Sequence, residues 1–148
     1  MTTMVKRFLL IDDDSDDREL FSEALSLVEP AIICDQATDA EEGLTRLKTA
    51  QEAPDLIFLD INLPVMDGWQ FLSRLKTESS LRHIPVIMYS TSSNVRDKKT
   101  AFELGALCFV TKPDAFRLLK GMLNVVVEYV NRQEYDRLCE AVQKAIRN

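Results

Sequence analysis

The sequence has little glycine: four residues in 148, scattered singly. No glycine-rich loop is present that could cradle a nucleotide phosphate. Histidine occurs once, as His83 before Ile84-Pro85, a context that predicts a surface loop. The three cysteines, Cys34, Cys108 and Cys139, are odd in number and far apart, with no zinc-binding spacing. Cys34 and Cys108 lie in apolar strand-like contexts, which predicts reduced thiols in a cytoplasmic protein. No apolar run approaches the roughly 18 residues of a membrane span. The first residues, Met1 to Arg7, lack the apolar region and cleavage site of a signal peptide. A formal net charge of −6 opposes general affinity for nucleic acid, which needs basic patches. No repeat, low-complexity segment or long linker interrupts the chain. What remains, 46% hydrophobic and 28% charged residues, suits one domain with a single core.

Short apolar runs alternate with amphipathic stretches. Phe8–Ile11, Ala31–Cys34, Leu56–Leu59, Pro85–Tyr89 and Leu107–Val110 read as strands. The first helix, capped by Ser15 or Asp16, carries Leu20, Phe21, Ala24, Leu25 and Val28 and stops at Pro30. Asp39 and Glu42 resemble a capping box for the second, with Leu44 and Leu47 on one face. Trp69, Leu72 and Leu75 give the third its buried face. The fourth runs from about Asn94 to Gly105, a residue suited to the position after a helix end. A fifth starts near Asp114. Five strands alternating with five helices predict a doubly wound parallel α/β sheet. Near-continuous apolar strands fit a sheet covered on both faces.

The C-terminal stretch carries two apolar stripes. Phe116, Leu119, Leu123, Val126 and Val130 form one; Tyr135, Leu138, Val142 and Ile146 form another, about half a turn out of phase. Either one long helix presents a second apolar face, or the chain turns near Asn131 and folds back. A five-strand domain over residues 1–128 with a helical extension over 129–148 follows. An exposed second stripe predicts a homodimer through the last helix and tail; a folded-back tail would place those residues in the core.

The strand ends carry the chemistry. In such sheets, ligands bind outside the carboxyl ends of the strands. The first strand delivers Asp12-Asp13-Asp14, the third Asp60, the fourth Ser90-Thr91 and the fifth Lys112-Pro113. Clustered carboxylates repel unless a cation neutralises them, and a hard oxygen site suits magnesium. Asp60 could attack phosphorus as a carboxylate nucleophile. Lys112 and the Ser90 hydroxyl could take phosphoryl oxygens.

Four motifs in order make the chain resemble a response regulator receiver domain of two-component signalling over roughly residues 6–128: Leu10-Ile11-Asp12-Asp13; Leu59-Asp60 with Leu63-Pro64 and Asp67-Gly68; Tyr89-Ser90-Thr91; and Thr111-Lys112-Pro113. Segment spacing most resembles stand-alone receivers of phytochrome-like sensor kinases. The resemblance implies a flavodoxin-like sheet of strand order 2-1-3-4-5. It implies Asp60 as phosphoacceptor, with Ser90 and Lys112 completing the reacting set. Asp13 and Asp60 would bind magnesium directly, Asp12 mainly through water, and Asn62 through its main-chain carbonyl; manganese could substitute. Ser90, Thr91, Lys112 and Phe109 would sense the phosphoryl group, and the Lys112–Pro113 bond is often cis in such proteins. Asp14 is a third acid with no role beyond helix N-terminal charge.

The resemblance implies a signalling switch rather than an enzyme. A histidine kinase or phosphotransfer protein would supply the phosphoryl group, with no organic cofactor, nucleic acid or membrane involved. No output domain is visible, so signalling would pass by protein contact or phosphorelay. The rival is an aspartate-dependent phosphohydrolase of the haloacid dehalogenase type. Such enzymes usually place a second Asp two residues after the nucleophile, where this chain has Asn62. A flavodoxin-like carrier is disfavoured by the acidic rim.

Overall fold

In a computed structural model describing residues 7–147, five strands form one all-parallel sheet of order β2-β1-β3-β4-β5. They are β1 (Arg7–Ile11), β2 (Ile33–Ala37), β3 (Leu56–Leu59), β4 (Val86–Ser90) and β5 (Cys108–Thr111). Helices α1 (Ser15–Val28), α2 (Ala40–Thr49), α3 (Gly68–Thr77), α4 (Val95–Glu103) and α5 (Phe116–Asn131) alternate with them, and α6 (Tyr135–Arg147) follows. Among the described residues, no helix is long and apolar enough to cross a membrane.

Strand side chains alternate between the two faces of a sheet, and each face here builds its own core. Phe8, Leu10, Phe58 and Tyr89 pack with Phe21 and Leu25 of α1 and with Leu123 and Val126 of α5. Leu9, Ile11, Ile57 and Met88 pack with Leu44 of α2, Phe71 of α3 and Ala101 of α4. Burial on both faces explains the continuous apolar runs of the inner strands. The edge strand β2 obeys no such rule. Its sequence Ile-Cys-Asp-Gln-Ala is mostly half-exposed, so the apolar run Ala31–Cys34 marks the strand two residues too early.

Capping also differs in detail. Asp14, not Ser15 or Asp16, caps α1: its side chain accepts from Asp17 N. Asp39 caps α2, but Glu42 reaches back to the Thr38 N–H rather than to that of Asp39. The reciprocal capping box lies at Asp67 and Gln70 of α3.

The tail folds back. Gln133 adopts a left-handed φ of 59°. Its N–H donates to Val130 O at 3.0 Å, and that of Glu134 donates to Tyr129 O at 3.0 Å. These two bonds make a Schellman reversal, usually built on glycine, here on glutamine. The boundary expected at residue 128 therefore falls inside α5. α6 packs on α5 and β5, with Leu138 and Val142 fully buried and Tyr135 and Ile146 against the same core. The phase shift between the stripes records this reversal. The apolar stripe that motivated a homodimer through the tail is spent inside the protomer.

The reversal also corrects the expectation of reduced thiols. It brings Cys139 of α6 against Cys108 of β5, with Cα atoms 5.3 Å apart, and the two are disulfide-bonded across a sequence separation of 31. Only Cys34 is free, with its thiol pushed up to about 12 by burial.

Because Leu138 is buried completely, Leu138→Ala should cost about 2–5 kcal/mol, as large-to-small core changes do. Urea unfolding of the full chain checks this. An exposed Leu138 would give a change within about 0.5 kcal/mol.

Candidate functional site

Parallel strands end at one rim, and backbone ladders hold each rim residue. Asp12 N donates to Ala37 O at 3.0 Å, Asp60 N to Ile11 O at 3.0 Å, and Lys112 N to Ser90 O at 2.7 Å. Main-chain pairing thus places Asp12, Asp60, Ser90 and Lys112 at the ends of β1, β3, β4 and β5. The loop after Asp60 is pressed onto α3 by Gly68. A Cβ at Gly68 would lie 2.2 Å from Asp60 O and 2.7 Å from Ile61 Cα, so only glycine fits.

Lys112 is the charge centre. Its side chain is 8% exposed, with Nζ 2.8 Å from Asp12 Oδ2, 2.8 Å from Asp17 Oδ2 and 3.2 Å from Asp60 Oδ2. It also lies 5.5 Å from the Tyr89 ring centroid, within cation–π range. Burial alone would lower its pKa, but close contacts with Asp12 and Asp17 and the charges of Asp12 and Asp60 raise it above the ordinary lysine value. Asp12 is completely buried. Burial raises its carboxyl to about 6, against the opposing pull of Lys112 and the Asp14 N–H. Arg18 donates to Asp12 O at 2.8 Å. Asp17 and Arg18 were not anticipated from the sequence. The signal was present: each lies within a turn and a half of the acidic triplet, on the helix that starts there.

One ammonium among three carboxylates leaves negative charge over. Single oxygens of Asp12, Asp13 and Asp60 lie within 4.8 Å of one another, with Asp13 exposed and the other two buried. Asp12 Oδ2 is buried and meets Lys112 as an ion pair without a well-directed hydrogen bond. Three hard oxygens, one from the under-satisfied buried Asp12, fit a divalent cation that keeps several waters.

Other anticipated residues take different places. Asn62 is exposed, and its N–H donates to Asp60 Oδ1 at 3.2 Å. Ser90 is fully buried, its Oγ accepting from Ser92 N at 3.3 Å. Thr91 is exposed just past β4. Phe109 is buried in the core shared with α2, α3 and α4. Lys112–Pro113 is trans, as no cis peptide occurs among the described residues; trans is the favoured isomer of X–Pro bonds. Arg96, Lys98 and Lys99 form an exposed face of α4, and His83 an exposed turn residue. Trp69 packs at the margin of the core.

The family described as the response regulator receiver domain matches residues 8–124. The chain belongs to that family. The receiver is 31% identical over 137 residues to Response regulator Rcp1 of Synechocystis sp. (strain ATCC 27184 / PCC 6803 / Kazusa), covering 84% of this chain and 91% of that one. It is 32% identical to a probable transcriptional regulator, ycf27, of Porphyridium aerugineum, over 86% of this chain but 50% of that protein. The chain thus spans about half the length of some curated relatives it matches. Among solved structures, it resembles the phosphorylated cyanobacterial phytochrome response regulator RcpA, with a TM-score of 0.77 and 30% identity, covering 84% of this chain and 93% of that one. The Mn(2+)-bound form of Rcp1 matches with a TM-score of 0.73 and 29% identity, over 82% and 91% of the two chains.

Two predictions concern the receiver's charge cluster. Lys112→Ala leaves buried acids without their cation and should cost about 3 kcal/mol in metal-free protein. Magnesium should recover part of that loss in thermal unfolding. The second concerns pH. Folded Asp12 holds its proton up to about pH 6, well above the unfolded carboxylate value of 3.8. In metal-free protein, its contribution to stability is therefore full below 3.8 and is lost as pH rises through about 6. A divalent cation competes with that proton. The melting-temperature gain from magnesium should be larger at about pH 7 than at about pH 5, and equal gains would contradict the assignment.

Proposed function

We propose that this receiver accepts a phosphoryl group on Asp60 from a phosphohistidine donor, a histidine kinase or phosphotransfer protein, and signals by protein contact or phosphorelay. The observation that carries this reading is the contact of Lys112 with Asp60 and Asp12. It places a buried carboxylate beside both a fixed cation and a hard oxygen site, in a chain of the receiver family.

In the transfer, an Asp60 oxygen forms the new P–O bond as the P–N bond to the donor imidazole breaks. The nitrogen keeps the bonding pair and takes a proton. Little else is asked of the protein beyond positioning and charge neutralisation. Magnesium, with manganese able to replace it, would be held by Asp13, Asp60, the Asn62 carbonyl and, through water, Asp12; bound there, it offsets the charge of the transferring group. Lys112 already touches Asp60 and is placed to meet the developing oxygen charge. Ser90, at the end of the adjacent strand, turns its hydroxyl from the Ser92 N–H toward a phosphoryl oxygen. That movement would pass through the tied ends of β4 and β5 to the buried Phe109 and so to α4. Thr91 joins the same loop. The kinases that feed such a site draw on the nucleotide pool of the cytoplasm, where we place the protein.

The phosphohydrolase reading finds no support. The position two after Asp60 is Asn62, which is exposed and has no proton to exchange near neutral pH. The aspartyl phosphate should therefore persist rather than turn over rapidly.

Acetyl phosphate with magnesium should add one phosphoryl mass to the intact chain, and Asp60→Asn should abolish it. Equal labelling of the Asn variant would remove Asp60 from the mechanism.

A further inference from the structure

The carboxyl-terminal helix is held against the sheet edge in two ways besides its apolar face. Cys139 is bonded to Cys108, the first residue of β5. Gln143, one turn on, donates through Nε2 to Phe109 O at 2.8 Å. β5 is the outer strand on that side of the sheet, so α6 covers an edge that otherwise presents unpaired main-chain groups. Both anchors fall on consecutive residues of β5, one of them the buried aromatic Phe109. A groove of about 310 Å³ opens between α4 and α6, lined by Phe102, Lys98, Cys108, Cys139, Gln143 and Arg147. Both bonded cysteines thus face a surface that a small thiol can reach. Cys108 is buried and Cys139 only half-buried, and Lys98 and Arg147 line the same groove; neighbouring cations favour a thiolate in general. Cys34 is on β2, at the opposite edge, and burial holds its thiol at about 12. It cannot exchange with the pair.

We propose that Cys108–Cys139 is a reversible thiol–disulfide site that latches α6 over the edge of β5, so that redox state controls the mobility of β5 and of the α4–α6 groove. Where disulfides do form in a reducing cytoplasm, they are usually transient and redox-sensing. The effect on signalling rests on the phosphoacceptor reading above; the latch itself does not.

The co-reactant is a dithiol. Its thiolate attacks Cys139 Sγ, the more accessible sulfur. The Cys108–Cys139 bond breaks, and Cys108 leaves as a thiolate that takes a proton. The second thiol of the reductant then attacks its own sulfur in the mixed disulfide, releasing Cys139 as a thiol. Two electrons and two protons have passed to the protein, and the dithiol has become a cyclic disulfide. An oxidised dithiol reverses the sequence. Reduction removes the covalent anchor but leaves Leu138, Val142 and Gln143 in place, so α6 opens locally rather than unfolding the domain.

Hydrogen exchange of the full chain tests the latch in three forms: oxidised, reduced by dithiothreitol, and Cys139→Ser. Reduction should speed exchange of α6 amides by about tenfold or more, leave β1 and β3 unchanged, and reverse on adding oxidised dithiothreitol. Cys139→Ser should match the reduced protein and ignore the reductant. Equal α6 exchange in both redox states would overturn the proposal, as would a disulfide that yields only when every amide exchanges together. Labelling by acetyl phosphate, followed in the oxidised and reduced wild type, should differ by about threefold or more in rate; equal rates would overturn the coupling to Asp60. Asp60→Asn carried through the exchange arm should show the same latch. Absent labelling at Asp60 would then count against the phosphoacceptor reading alone.

Discussion

The rim of this sheet depends on the sharing of one ammonium among three carboxylates. Lys112 reaches Asp12, Asp17 and Asp60 within 3.2 Å, and these come from β1, α1 and β3 while Lys112 comes from β5. Four separate segments thus meet on one charge. Ladder bonds that fix where the strands end carry Asp12, Asp60 and Lys112 there, and the first turn of α1 carries Asp17. One positive charge cannot satisfy three negative ones, and burial worsens the imbalance by raising the cost of ionising Asp12. The site is therefore held ready for further positive charge, such as a divalent cation beside Asp12, Asp13 and Asp60.

The same rim is tied from strand to strand. Lys112 N is bonded to Ser90 O, and Thr111 Oγ1 donates to Ser92 O at 2.9 Å. The ends of β4 and β5 are thereby tied. Phe109 lies two residues before Thr111, with its side chain in the α4-side core. Its carbonyl faces the other way, outward to Gln143 of α6. β5 is therefore the strand on which the charge cluster, the α4 face and the tail converge. The tail is no free appendage but part of the core on the α5 side.

The central strands and their terminal residues were legible because both faces of a parallel sheet are buried. That forces apolar runs such as Leu56–Leu59 and makes a carboxylate at their end conspicuous. Legibility failed where burial is partial or where a group belongs to a helix. β2 was displaced because an edge strand tolerates Asp35 and Gln36. Asp17 escaped notice because an acid in a first helical turn is ordinary there. The α5–α6 reversal was hidden because it uses Gln133 in a conformation usually taken by glycine.

By itself the sequence determined the order of elements, the parallel architecture, the family, and the residues Asp12, Asp60, Ser90 and Lys112 at strand ends. These are local properties, carried by apolar period and by single residues beside each run. Only the tertiary structure decided that α6 turns back, that its stripe is core, and that Cys108 meets Cys139. A stripe half a turn out of phase satisfies its burial equally well against another subunit or against its own domain. The choice is made by a few residues of turn and by the sheet edge left open beside β5, and neither is written in the stripe.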